Sequence, residues 1–198
     1  MKKYSFGFLF LLVCSCSSHI SIQPLFTGKL TYSAFTWHFN PSKDTFELYI
    51  ANYISIDSNG RFIGMRHDTF MDHAKYFSGY INDSLRKRVD SILSNSRDKR
   101  NFIFSAETAR MYDGLTYGIE YRNRDSMGSF ILFVPSLSPL GIQFVESALD
   151  SVVANAAANA IDSFSFAAYK TKLEEKVRAS GIKIPKFVPA NVELKNPK

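Results

Sequence analysis

Cysteine is nearly absent from this chain of 198 residues: Cys14 and Cys16 are the only two, and none follows them. The body therefore has no disulfide framework and no four-cysteine zinc site to rely on. Long apolar runs are missing as well, because nothing after the first residues reaches the 18 apolar positions expected of a membrane-spanning helix. Catalytic signatures are equally scarce. There is no GxSxG nucleophile elbow, no GxxxxGK phosphate loop and no HExxH zinc helix. SxxK occurs at Ser84 to Lys87 and again at Ser96 to Lys99, both within one basic stretch and without any companion motif, so the pattern carries no serine chemistry. Disorder is also excluded as a general description, since 45% of the residues are hydrophobic and 15% aromatic.

What is present begins with FLFLLVCSCSS at Phe8 to Ser18. Lys2 and Lys3 precede a short apolar run that ends in small residues, the layout of a secretory signal peptide. The run is shorter than the roughly 20 residues a spanning helix requires. This front end resembles the lipobox-type signal of bacterial lipoproteins, in which a small residue precedes a cysteine that is acylated and becomes the mature N-terminus. Two registers compete. Cys16 is favoured as the lipid attachment site because Ser15 directly precedes it, whereas the bulky Val13 precedes Cys14. The resemblance implies a palmitate-type lipid anchor in the cell envelope, and Ser17 and Ser18, with no acidic residue, imply an outer-membrane destination. Residues 1–15 are then a signal peptide, 16–28 a tether, 29–181 a single domain and 182–198 an extended tail with three prolines.

Charge is spread unevenly. The formal net charge of +6 falls by two when Lys2 and Lys3 leave with the signal. Seven bases face four acids in residues 82–110, and residues 125–169 contain no Lys or Arg at all. Basic stretches sometimes mark nucleic-acid binding, but an exported chain would not meet nucleic acid. Solvated helix faces and proximity to anionic lipid are the expectation.

Periodicity in the body predicts an α+β fold: an antiparallel β-sheet with two to three helices packed on one face. Lys29 to His38 alternates as a strand. Phe46 to Ile56 alternates too, placing Phe46, Leu48, Ile50, Ile54 and Ile56 on one face. Ser58-Asn59-Gly60 predicts a tight hairpin through the positive φ angles open to Asn-Gly, with Arg61 to Arg66 returning beside it. A strand over Ala74 to Ile81 leads to the helix caps Asn82, Asp83 and Ser84, and the bases Arg86, Lys87 and Arg88 fall mostly off the helical stripe of Leu85, Val89, Ile92 and Leu93. Tyr112 to Tyr121 predicts a strand, and Phe130 to Val134, apolar on both faces, a central one. Ser138-Pro139 opens a helix with Pro at its first position, Ser163 to Ala179 forms the next, and Gly181 ends it. This succession of strands, hairpin, capped helix and YDGLTYGIEY strand resembles small uncharacterised lipoproteins of Bacteroidota, which brings no activity with it.

Two groups of residues invite a functional reading. His67, Asp68, Asp72 and His73 combine imidazoles and carboxylates around a turn, the chemistry of a zinc site, with His38 as a further histidine. An extended chain would send neighbours to opposite faces, so no metal and no cofactor is expected there. Phe35, Trp37, Tyr49 and Tyr53 fall on the nominal outer faces of two strands and form either a binding platform or, if a helix covers them, core. The functional expectation is a membrane-anchored envelope lipoprotein acting as a non-enzymatic binding or assembly component, with the membrane and an envelope protein as partners and no nucleic acid. The alternatives are an anchored hydrolase using the His67/His73 loop, or an inhibitor or immunity-like protein.

Overall fold

A computed structural model of the chain describes residues 29–68, 73–95, 101–103, 114–122, 128–156 and 159–182. The signal peptide, Cys16, the tether, Asp72 and all of the tail beyond Ile182 lie outside the described residues. The elements are β1 (Leu30–Asn40), β2 (Thr45–Ile56), β3 (Arg61–Arg66), β4 (Lys75–Tyr80), α1 (Asp83–Asn95), β5 (Thr116–Tyr121), β6 (Ser129–Phe133), α2 (Leu140–Asn155) and α3 (Ala167–Ala179). The six strands form one antiparallel sheet in the order β4-β3-β2-β1-β5-β6. The antiparallel α+β class is as the periodicity predicts. The first four strands form a meander, α1 carries the chain from the β4 edge to the far side, and β5 joins the sheet against β1.

Local signals account for most element boundaries. Asp57 staples the β2–β3 turn: its carboxylate accepts the backbone N–H groups of Asn59 (2.9 Å) and Arg61 (3.0 Å). Only Gly60, at φ 78°, takes the left-handed conformation that the Asn-Gly pair suggests; Asn59 does not. Asn82 caps α1 by accepting the N–H of Leu85 at 2.8 Å, and Gly181, at φ 80°, follows the last turn of α3.

Both faces of the sheet are covered. α1 and α2 share one face, where Val89, Leu93, Ile142, Val145, Leu149 and Val153 pack on Leu30, Tyr32, Ile54, Ile56, Phe77 and Phe133. α3 lies on the other, where Tyr169, Leu173 and Val177 pack on Phe35, Leu48, Ile50, Tyr53, Met65 and Leu132. The chain reaches the second face by passing around the sheet edge after α2. Ser78 donates to the Asn159 carbonyl and Ile161 to that of Tyr76, both at 3.1 Å, so this passage also satisfies part of the β4 edge.

Several expectations are corrected here. Phe46 to Ile56 does not keep one face: Ala34 pairs with Asn52 but Phe35 with Ile50, so Ala51 is an extra residue in β2. This bulge sends Leu48 and Ile50 to the α3 face while Ile54 and Ile56 stay with α1 and α2. Phe130 to Val134 is not a central strand. β6 ends the sheet, and its apolarity reflects helices on both faces and Phe102 bridging its outer edge. Ser138 does not cap α2; its hydroxyl donates to the Pro135 carbonyl at 3.0 Å, and Pro139 takes the N-cap position. α3 begins at Ala167 rather than Ser163, because Phe164 and Phe166 precede the helix and pack on Tyr53 with ring centroids 6.0 and 5.6 Å away. Arg86 belongs to the buried side of α1, where it pairs with Asp83 at 3.0 Å beneath Gly60.

Candidate functional site

Among the described residues, a concavity lies on each face of the sheet. On the α2 side, a cavity of about 260 Å³ is lined by Asn52, Arg66, His67, Asp68, Asp150, Val153 and Ala154. It exists because β3 ends where α2 ends. Arg66 donates to the carbonyl of Ala154 at 2.9 Å, placing a cation on the last turn of α2 where the helix dipole favours it. The same guanidinium meets the Asp68 carboxylate at 3.0 Å, and Lys75 reaches that carboxylate from β4. Lys75, followed by its own charge and that of Arg66, holds the Asp68 carboxyl below the usual carboxylate range.

Asp150 lies deeper and is fixed from the sheet. It accepts the Tyr32 hydroxyl at 2.8 Å and the Asn52 amide at 3.4 Å. Glu146 stands one helical turn before it. Burial, then the charge of Asp150 and a hydrogen bond to it, push the Glu146 carboxyl up. The Tyr32 phenol is driven strongly up by burial and by Asp150, and therefore serves as a donor, not as a base.

Of the residues that suggested a metal site, His67 and Asp68 reach this cavity, but in other roles. The His67 ring rests 4.9 Å from that of Tyr49, and its backbone N–H donates to the Ala51 carbonyl at the bulge. His73 is exposed ahead of β4, and Asp72 is outside the described residues. Among the described residues, no three His, Cys, Asp or Glu side chains come together in a way that would hold a metal ion.

On the α3 side, a groove of about 310 Å³ is lined by Lys29, Thr31, Tyr53, Glu120, Arg122, Ala168, Tyr169 and Lys172. Glu120 sits at its floor, paired with Lys172 at 2.6 Å and with Arg122 at 3.6 Å. Tyr169 and Ser33 share a hydrogen bond of 2.8 Å across the sheet–helix interface beside it. The aromatic platform resolves along the same boundary. Phe35 and Tyr53 are core beneath α3, and Trp37 is partly buried against the same cluster.

Sequence reasoning missed Asn52, Arg66, Glu146 and Asp150 as one group, and Lys29, Glu120, Arg122 and Lys172 as another. Glu146 and Asp150 could be seen as an i,i+4 acidic pair bordering the α2 stripe. The basic groove has no local signal, because Lys29 precedes β1, Glu120 and Arg122 lie at the end of β5 and just beyond it, and Lys172 is on α3. Comparisons of the chain with family models, with curated proteins and with solved structures give no match.

Proposed function

We propose that this chain is a lipid-anchored envelope protein acting as a non-enzymatic binding or assembly component, held at the outer membrane through acylated Cys16. The observation that carries the reading is the front end itself. A short apolar run closes on Ser15-Cys16, and only a brief stretch separates that cysteine from β1, which starts at Leu30. A domain attached in this way works at a membrane surface, and stable attachment follows from more than one acyl chain.

The binding role is supported by the two concavities, which are open and rimmed by charged groups. The hydrolase alternative gains less from the geometry. The Asp68 carboxylate is occupied by Arg66 and Lys75, and the His67 ring lies against that of Tyr49.

Metabolic labelling with an alkyne fatty acid, followed by membrane fractionation, tests the anchor. Wild type and Cys14→Ser are expected to label and sediment with membranes. Cys16→Ser is expected to lose the label and to accumulate as precursor or soluble protein. Loss of label only in Cys14→Ser would move the acceptor by two residues, and label retained in both variants would reject the anchor.

A further inference from the structure

We propose that the groove between α3 and the β1–β5 ladder binds the phosphate of an anionic lipid headgroup in the membrane that the N-terminal anchor enters. The inference deepens the proposed function and rests on its anchor reading.

Three cations converge on the groove from separate elements. Lys29 and Arg122 are cross-strand neighbours, since the Arg122 N–H donates to the Lys29 carbonyl at 3.3 Å. Strand alternation places both on the α3 face, with Thr31 and Glu120 paired one step further in. Lys172 approaches from α3. Among the described residues that line the groove, one acid opposes them: the Glu120 side chain is 15% exposed, against 62% for Arg122 and 36% for Lys172. The carboxylate therefore lies at the floor and the cations at the mouth, leaving an excess of two positive charges facing outward. An internal ion pair meant only to fasten α3 would need Lys172 and Glu120. Lys29 and Arg122 are surplus to that task.

Guanidinium and ammonium groups around a small open concavity suit a phosphate, which accepts several charge-assisted hydrogen bonds at once. Position selects the membrane as its source. Lys29 is a groove residue and directly follows the stretch proposed as the tether. The tether from Cys16 reaches about 45 Å at full extension, so headgroups are the anions held near this rim at high effective concentration. The opposite concavity, where Arg66 and Lys75 balance Asp68, lies across the sheet.

The experiment uses the full processed chain purified from membranes, and the mass of its N-terminal peptide first reports whether Cys16 carries acyl chains. The protein is reconstituted into vesicles of phosphatidylcholine, or of phosphatidylcholine mixed with phosphatidylglycerol, with a fluorophore at Thr171→Cys on α3 or at Ser91→Cys on α1. Quenching by headgroup-labelled lipid is expected to be stronger at position 171 than at 91, and only in the phosphatidylglycerol vesicles. Lys29→Gln with Arg122→Gln should abolish the difference, each lost cation lowering docking about fivefold. The Lys172–Glu120 pair stays in place to secure α3, and an unchanged melting curve verifies this. The control Arg61→Gln with Lys87→Gln, exposed bases elsewhere, should leave the difference intact. Equal quenching at both positions in wild type, or equal loss in the control, would overturn the proposal. So would full release of the docked state by millimolar inorganic phosphate, because the groove would then be a site for soluble phosphate. If Cys16 proves unacylated, the anchor reading fails on its own. Co-sedimentation of the same chain with phosphatidylglycerol vesicles, lost or kept in the groove variant, then decides the groove.

Discussion

Gly64 and Gly79 show how tightly single residues constrain the β3–β4 ladder. Each faces an aromatic ring on the neighbouring strand: Gly64 pairs with Phe77 and Gly79 with Phe62. A methyl group at Gly64 would stand 2.3 Å from the Phe77 ring and 2.9 Å from the Tyr53 carbonyl, and backbone cannot yield as a flexible side chain would. Gly64→Ala is therefore expected to destabilise the domain by about 3 kcal/mol, the upper part of the usual range for overpacking, measurable by urea unfolding. Glu146 gives a prediction of the opposite sign. Its folded-state pKa is raised, first by burial and then by Asp150, so its stabilising contribution is complete below the ordinary carboxylate range and is lost as pH rises through the folded value. Glu146→Gln should raise the melting temperature at neutral pH and flatten the gain that wild type shows on mild acidification. A variant with an unchanged pH–stability curve would show that the Glu146 carboxyl is not raised on folding.

At the scale of elements, the bulge in β2 decides which helix meets which half of the strand. Without Ala51, alternation would carry Leu48 and Ile50 to the α1–α2 face, and α3 would lose two of the buried side chains it packs against. The bulge carbonyl also accepts the His67 N–H, which fixes the exit of β3 toward Asp68. Deletion of Ala51 is expected to leave secondary structure visible in far-ultraviolet circular dichroism while removing the cooperative thermal transition. A deletion protein that melts sharply near the wild-type temperature would contradict the assignment of the bulge. The helices differ in how they are held. α1 is tied by polar contacts at both ends, Asn82 at its start and Ser94 to the Tyr121 hydroxyl (2.8 Å) near its end. Burial and a hydrogen bond to Asp90 push that phenol up to about 12. α3 has no side-chain cap at its start and depends on its apolar stripe and Lys172.

For the whole molecule, one sheet serves as a wall of both cores, so damage to either side is felt by the other. Trp37, the only tryptophan, reports the α3 side, whereas Leu149 is fully buried on the α2 side. Leu149→Ala should cost about 2–5 kcal/mol and shift tryptophan fluorescence and far-ultraviolet circular dichroism together along one urea transition. Two separated transitions would mean that the layers fold independently. The same arrangement puts a concavity with Arg66, Asp68 and Asp150 on the α2 side and the groove with Lys29, Glu120, Arg122 and Lys172 on the α3 side.

Features whose causes lie within a few residues of one another are legible in the sequence. The stapled turn at Asp57 to Gly60, the start of α1 at Asn82 and its end-to-end amphipathicity, the stop at Gly181 and the antiparallel α+β class all depend on local hydrogen bonds, permitted φ angles or short-range periodicity. Tertiary structure alone decided the rest. Whether Phe35 and Tyr53 were platform or core depended on α3 crossing to the second face, a route set by the passage of residues 159–161 along β4. Arg86 looked solvated from its neighbours on the helix, yet the β2–β3 turn folds over it. The His67 to His73 cluster looked like a set of ligands, but Arg66 and Lys75 claim Asp68 once β3 and β4 lie side by side. Lys29, Glu120, Arg122 and Lys172 become a site only through the β1–β5 register and the packing of α3. Contacts between chain segments far apart in sequence leave no periodic trace, so no pattern along the chain could have announced them.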